Sequence, residues 1–98
     1  MIRPLLLRPE ATVEIQEARD WYEQRRQSLG DEFMAAVREA LTAVEASPQR
    51  YPVVRRDIRR ALLRRFPYSL LYIMEPERTV VIACFHGKRN PRSWYSRR

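Results

Sequence analysis

Two glycines, one cysteine and no apolar run longer than seven residues rule out much of protein chemistry before any motif is sought. Glycine stands only at positions 30 and 87, so neither a Walker loop nor a dinucleotide fingerprint can be assembled, because each needs several glycines in one turn. Cys84 is alone, which excludes an internal disulfide and any cysteine-based zinc site and makes a reducing compartment the simplest expectation. The longest apolar stretch runs from Thr79 to Phe85, far short of the roughly 20 residues a membrane helix requires. The opening Met1 to Leu7 carries three leucines but no small-residue cleavage site, so no signal peptide is expected and the cytoplasm is the expected location. No metal and no cofactor is expected.

What is present fits one folded domain over residues 1–98: 45% hydrophobic and 32% charged residues. The charge is unevenly placed. Residues 1–49 hold six arginines against nine acids, whereas residues 50–98 hold thirteen basic residues against three acids, which together give the net +7. A domain divided in this way is expected to present a basic face, and a basic face attracts nucleic acid, a ribosome or an acidic protein.

Hydrophobic periodicity gives the layout. Ile2 to Arg8 is short, apolar and bracketed by Pro4 and Pro9, as expected of a strand near a sheet edge. Ala11, Ile15, Ala18 and Tyr22, with Trp21 beside them, mark an amphipathic helix from about Glu10 to Gln27. Ser28 and Asp31 resemble an acidic capping box, with Gly30 to absorb the bend. Phe33, Val37, Ala40, Leu41 and Val44 mark a second helix, which Pro48 ends near Ser47. Trp21, Tyr22 and Phe33 are expected in the core. Gln49 to Arg56 reads as irregular, and three extended runs follow: Ile58 to Phe66, Tyr68 to Met74 and Thr79 to His86. The short links between them favour an antiparallel meander. In the last strand Val80, Ile82 and Cys84 alternate with Val81, Ala83 and Phe85, so it is expected to be buried on both faces. The fold class is α+β: an N-terminal strand, a helical hairpin, then a three-stranded antiparallel meander with a basic C-terminal tail.

Arg59, Arg60, Arg64 and Arg65 on the first meander strand, and Lys88, Arg89, Arg92, Arg97 and Arg98 after the last, are expected to approach one another as a concave basic site. Near it the sequence offers His86, Tyr95, Ser69, Ser93 and Ser96. The reaction these groups suit best is RNA cleavage: a base takes the 2′-OH proton, arginines stabilise the phosphorane, and an acid protonates the leaving oxygen. The same residues have plainer roles, His86 closing a backbone hydrogen bond and Trp94 covering the apolar sheet instead of stacking on a base.

The segments EARDWYEQRRQSLGDEF (17–33), FPYSLLY (66–72) and CFHGKRNPRSWYSRR (84–98), in this order over nearly the whole chain, resemble the RelE/ParE superfamily of type II toxins. That resemblance implies a toxin neutralised by a cognate antitoxin with an acidic, partly disordered tail, in a toxin–antitoxin hetero-oligomer. RelE-like members are ribosome-dependent mRNA endonucleases. Toward them, Gly87-Lys88-Arg89 is followed by Tyr95 at the matching spacing, and catalytic work would fall to Arg89, Tyr95 and His86, with help from Arg60 and Arg64. Ser69 stands where their arginine would be, and Leu62 where a second basic residue would be. ParE-like members, the plasmid stabilisation type, are similar in FPYSLLY and in the His86, Arg89, Pro91, Trp94 series, and inhibit DNA gyrase by binding. The resemblance therefore favours a non-enzymatic gyrase inhibitor whose target-binding residues are Arg60, Arg64, Arg65, Lys88, Arg89, Arg92 and Trp94. The alternatives are the mRNA endonuclease and a non-toxic nucleic-acid-binding module.

Overall fold

The computed structural model describes residues 3–97. Strand β1 (Leu5–Leu7) leads into helix α1 (Pro9–Arg25), a turn, and helix α2 (Leu29–Ala46). A short 3-10 turn (Pro48–Arg50) then precedes β2 (Val53–Arg55), β3 (Ile58–Leu62), β4 (Tyr68–Met74), β5 (Thr79–His86) and a final turn of helix, α3 (Arg92–Tyr95). The α+β class and the β3-β4-β5 meander stand as expected, but the sheet has five strands in the order β1-β5-β4-β3-β2.

The additional strand is β2, in the stretch expected to be irregular. It pairs antiparallel with β3 through a register shift between Val53 and Arg55, and Pro52 O accepts the Arg60 N–H. Val53 and Val54 are both exposed at this outer edge, so β2 lacks the alternation that makes a half-buried strand readable. At the opposite edge β1 pairs parallel with Thr79–Val81 of β5, and Pro4 O accepts the Thr79 N–H. Ile2, expected within this strand, lies outside the described residues.

Pro9 opens α1, where its missing N–H is no loss and its fixed φ suits the first turn. The helical hairpin forms, but not by the expected capping box. Ser28 has φ 73°, and its side chain makes no cap; instead the Glu23 carboxylate accepts the N–H groups of Ser28 (3.0 Å) and Gly30 (2.9 Å). Those two donors hold the Glu23 carboxyl below its usual range. Gly30 serves close approach instead of the bend: a Cβ there would stand 2.8 Å from Glu23 Oε1 and 2.9 Å from the Arg19 carbonyl.

One face of the sheet packs on the helices. Ala11, Ile15 and Ala18 of α1 and Phe33, Val37, Ala40 and Val44 of α2 are buried against Ala61, Leu70, Tyr72, Val81 and Cys84. Tyr22, Phe33, Phe66 and Tyr68 form an aromatic cluster with Tyr22 to Phe66 at 4.9 Å and Phe33 to Tyr68 at 5.4 Å. Trp21, expected beside them, is 49% exposed with the Arg25 guanidinium 4.2 Å from its ring. It lies one residue, about 100°, around the helix from Tyr22 and so points off the buried stripe.

The other sheet face has its own apolar layer: Ile58, Leu71, Ile73, Val80, Ile82 and Phe85, covered by Trp94 of α3. The expected alternation of β5 fails here. Leu71 pairs with Ala83 but Tyr72 with Val81, so Ile82 is an inserted bulge residue. Beyond it the faces exchange: Cys84 joins Val81 toward the helices, while Ala83 and Phe85 join Val80 and Ile82 on the outer face.

Candidate functional site around Arg89

At the β5 C-terminal end the sheet stops without a partner on one side. β1 ends at Leu7 and Arg8 N–H reaches Val81 O, after which the chain turns away into α1. Side chains occupy the vacated edge. Glu14 of α1 accepts the Cys84 N–H (3.1 Å), and Arg97 donates to Ile82 O (3.2 Å). The two side chains meet in a bidentate pair with both N···O distances 2.9 Å, each less than a fifth exposed. Glu14 holds the Arg97 guanidinium above its ordinary range. A backbone ladder is thereby continued by an ion pair, which also ties the C-terminal tail across the sheet; Arg8 donates to the Arg97 carbonyl from the other side.

Arg89, in the turn after β5, lines two cavities on opposite faces of this sheet end. The larger, about 710 Å³, opens on the helix side between α1 and the sheet, with Glu14, Glu17, Trp21, Tyr68 and His86 in its wall. Burial raises the Tyr68 phenol above its usual range, and the positive charge of Arg89 opposes that rise. His86 stands edge-on to Tyr68 at 5.1 Å, and its Nδ1 accepts the Lys88 N–H at 3.0 Å. The smaller cavity, about 180 Å³, lies on the helix-free face beside Arg60, Ser69 and Trp94.

The structure separates residues that the sequence grouped. Tyr95 lines neither cavity; the Arg55 guanidinium covers its ring at 3.9 Å, and Trp94 packs on it at 4.9 Å. His86 and Arg89 share the larger cavity, Arg60 and Arg89 the smaller. Arg64 and Arg65 are not on the first meander strand, which ends at Leu62, but in the turn after it, where Arg65 has φ 72°. They reach back to α2, Arg64 to Glu39 (3.5 Å) and Arg65 to Glu32 (2.8 Å), while Arg60 is in register with Leu71 on the helix-free side. The Arg65 and Arg26 guanidinium groups hold the Glu32 carboxyl below its usual range. Arg59 bonds the carbonyls of Gln49 and Tyr51. Lys88 and Arg92 are exposed on the turn around Arg89 and at the start of α3, and Trp94 is 7% exposed in the outer apolar layer.

Arg97, expected in the basic site, is instead engaged by Glu14, while Arg98 lies outside the described residues; the sequence did not single out Arg55, nor the pairing of Glu14 with Arg97 across the chain. Among the described residues no cluster of His, Cys, Asp and Glu could hold a metal ion.

Residues 5–91 match the family model described as the ParE toxin of the type II toxin–antitoxin system, parDE. The chain belongs to that family. A solved structure titled "Chromosomal ParDE TA system from P. aeruginosa" shares the fold with a TM-score of 0.65 over 87% of this chain and 96% of that one, at 15% identity. No curated protein matches. Among the described residues of this ParE-family chain, no helix is long and apolar enough to cross a membrane.

Proposed function

We propose that this ParE-family chain arrests growth by binding DNA gyrase rather than by cutting RNA, and that a cognate antitoxin with an acidic tail neutralises it. The observation that carries the binding reading is the scatter of the acid–base candidates. General acid–base cleavage needs a base and an acid within hydrogen-bond reach of one phosphodiester. His86 lines the helix-side cavity, Tyr95 lies under Arg55, and no described cavity contains both. Ser69, buried at 7% exposure, adds no cation where an RNA-cleaving relative would place one.

The working surface is then the turn carrying Lys88, Arg89 and Arg92, cations without an ion-pair partner among the described residues. Such a surface suits an acidic partner, and a disordered acidic tail ordering upon it would cover the same charges. The family assignment supports an antitoxin, since it names one half of a two-protein system.

The experiment is induction of the chain without antitoxin, scoring the DNA-damage response and mapping mRNA 5′ ends on translating ribosomes in the same cells. Arrest with DNA damage and intact mRNA is the expected result. New 5′ ends inside translated codons would overturn it in favour of an mRNA endonuclease, and growth without arrest would leave a binding module.

A further inference from the structure

We propose that the helix-side cavity of about 710 Å³ binds a small zwitterion, an amino acid or short peptide whose ammonium meets Glu17 and whose carboxylate meets Arg89. Such a site needs neither gyrase nor antitoxin and goes beyond the growth-arrest reading. The volume falls within the roughly 300–1,000 Å³ of small-molecule sites. Helix α1 supplies one wall and the end of the sheet the other, so the two walls differ in charge. Glu14 and Glu17 stand on α1, but the Glu14 carboxylate is committed to Arg97 and the Cys84 N–H, which leaves Glu17 as the available acceptor. Arg89, in the turn after β5, belongs to the other wall. Both residues are exposed, and among the described residues neither makes an ion pair, with the other or with any third group. One free anion and one free cation that share a cavity without meeting suit a ligand charged oppositely at its two ends.

The Arg89 end carries further donors. Tyr68 lines the cavity, and its hydroxyl makes no hydrogen bond among the described residues yet is not sealed from solvent. The Tyr22 ring stands 6.1 Å away, and its hydroxyl is likewise unpartnered and open. The Arg89 charge acts on the Tyr68 phenol, so the guanidinium stands near it. His86 Nδ1 accepts the Lys88 N–H, which puts the ring proton on Nε2 as a third kind of donor. Guanidinium, phenol and imidazole N–H together suit one carboxylate. A chain of several carboxylates suits the cavity poorly, because Glu17 faces the same space with no cation paired to it. Lys88 and Arg92 do not line the cavity and remain for an acidic partner outside it. Ala18, Trp21 and Pro67 add apolar wall for the ligand's side chain, a role for the half-exposed Trp21 that core packing does not give it.

The test titrates the full chain with phenylalanine, phenylalanylglycine and phenylalanylglycylglycine at constant ionic strength. Heat is followed by calorimetry and, in parallel, amide shifts by NMR, so that a complex silent in heat is still seen. Saturable binding of at least one probe is expected, with shifts gathered on residues 14–22 and 84–89. The affinity should fall at least about tenfold in Glu17→Gln and in Arg89→Gln and stay unchanged in Arg38→Gln on the exposed face of α2. Glu17 and Arg89 are exposed and unpaired among the described residues, so both variants should fold, which circular dichroism checks. Acetylating the probe's amine should weaken binding to the unaltered chain but not further in Glu17→Gln, which assigns the ammonium to Glu17. Tightest binding of phenylalanine itself assigns a free amino acid, and tightest binding of a longer probe assigns a peptide. No saturable change with any probe, binding undiminished in both variants, or equal binding of the acetylated and amidated probe would overturn the site. So would a tetra-aspartate peptide that shifts the same amides at lower concentration, since the cavity would then belong to an acidic chain.

Discussion

Replacing Arg97 by alanine removes three hydrogen bonds at once, two to Glu14 and one to the Ile82 carbonyl. The Glu14 carboxylate is left with the Cys84 N–H as its one remaining donor, and the Ile82 carbonyl loses its side-chain donor. An exposed ion pair contributes about 0–1 kcal/mol, whereas breaking a buried one costs about 3–5 kcal/mol because the surviving charge stays desolvated. With side chains 18% and 16% exposed, this pair lies near the buried limit, yet water can reach the truncated site. The expected loss is therefore about 2–3 kcal/mol, which for a domain of this size lowers Tm by roughly 10–20 °C. Urea denaturation of Arg97→Ala, Glu14→Ala and the double variant measures it. The double variant should be little worse than either single one, with a coupling near 2 kcal/mol on the same scale. Faster amide exchange at Cys84 should accompany the loss. Additive single effects, or a loss below about 0.5 kcal/mol, would show that the pair behaves as a surface contact and that the tail does not close the β5 edge.

Other substitutions test other parts of the argument. Gly30→Ala should destabilise by up to about 2 kcal/mol in urea, because a Cβ 2.9 Å from the Arg19 carbonyl costs about 1–3 kcal/mol against a helix-propensity gain near 1 kcal/mol; a stabilised variant would contradict the close helix approach. Burial, with the Glu14 charge, pushes the Cys84 thiol up from 9.0 to about 12, and burial pushes the Tyr72 phenol up from 10.0 to about 12. Each group keeps its proton longer folded than unfolded, so its contribution is fully present below its unfolded pKa and is lost as pH rises toward 12. Stability should fall by about 1.4 kcal/mol per pH unit between about pH 9 and 10, through Cys84, and by about twice that above pH 10, where Tyr72 adds its share; Cys84→Ala should flatten the first part of that slope. An unchanged slope in Cys84→Ala would reject the assignment. Arg89→Ala should abolish growth arrest while changing stability by less than about 0.5 kcal/mol, since the side chain is exposed and makes no ion pair among the described residues. Tyr95→Phe should leave arrest intact under the binding reading; loss of arrest together with loss of mRNA cleavage would restore a catalytic role for the hydroxyl.

Local pattern was enough for much of this architecture. The stripe Ala11, Ile15, Ala18, Tyr22 marks α1 and the stripe Phe33, Val37, Ala40, Val44 marks α2, because a helix repeats its buried face every three to four residues. The short link at residues 75–78 made β4 and β5 neighbours before any pairing was known. Strand β2 was not legible because an exposed edge strand need not alternate. The faces of β5 were misassigned because one bulge at Ile82 shifts every later side chain, and the extra residue is visible only against the partner strand.

The site divides in the same way. Composition and order along the chain determined that the second half is basic, that Arg89 follows the last strand, and that the whole resembles a toxin of the RelE/ParE superfamily. Only the tertiary structure decided which arginines remain available. Glu39 and Glu32 draw Arg64 and Arg65 to the helical side across 25 and 33 residues, and Glu14 binds Arg97 across 83, so these three arginines of the basic half meet acids of the first half. Arg60 escapes such pairing because the sheet places it on the helix-free face, and Arg89, in the turn after β5 between the two faces, makes no ion pair among the described residues. Charge along a chain is fixed by composition, but its neutralisation depends on distances of a few ångströms that exist only after folding.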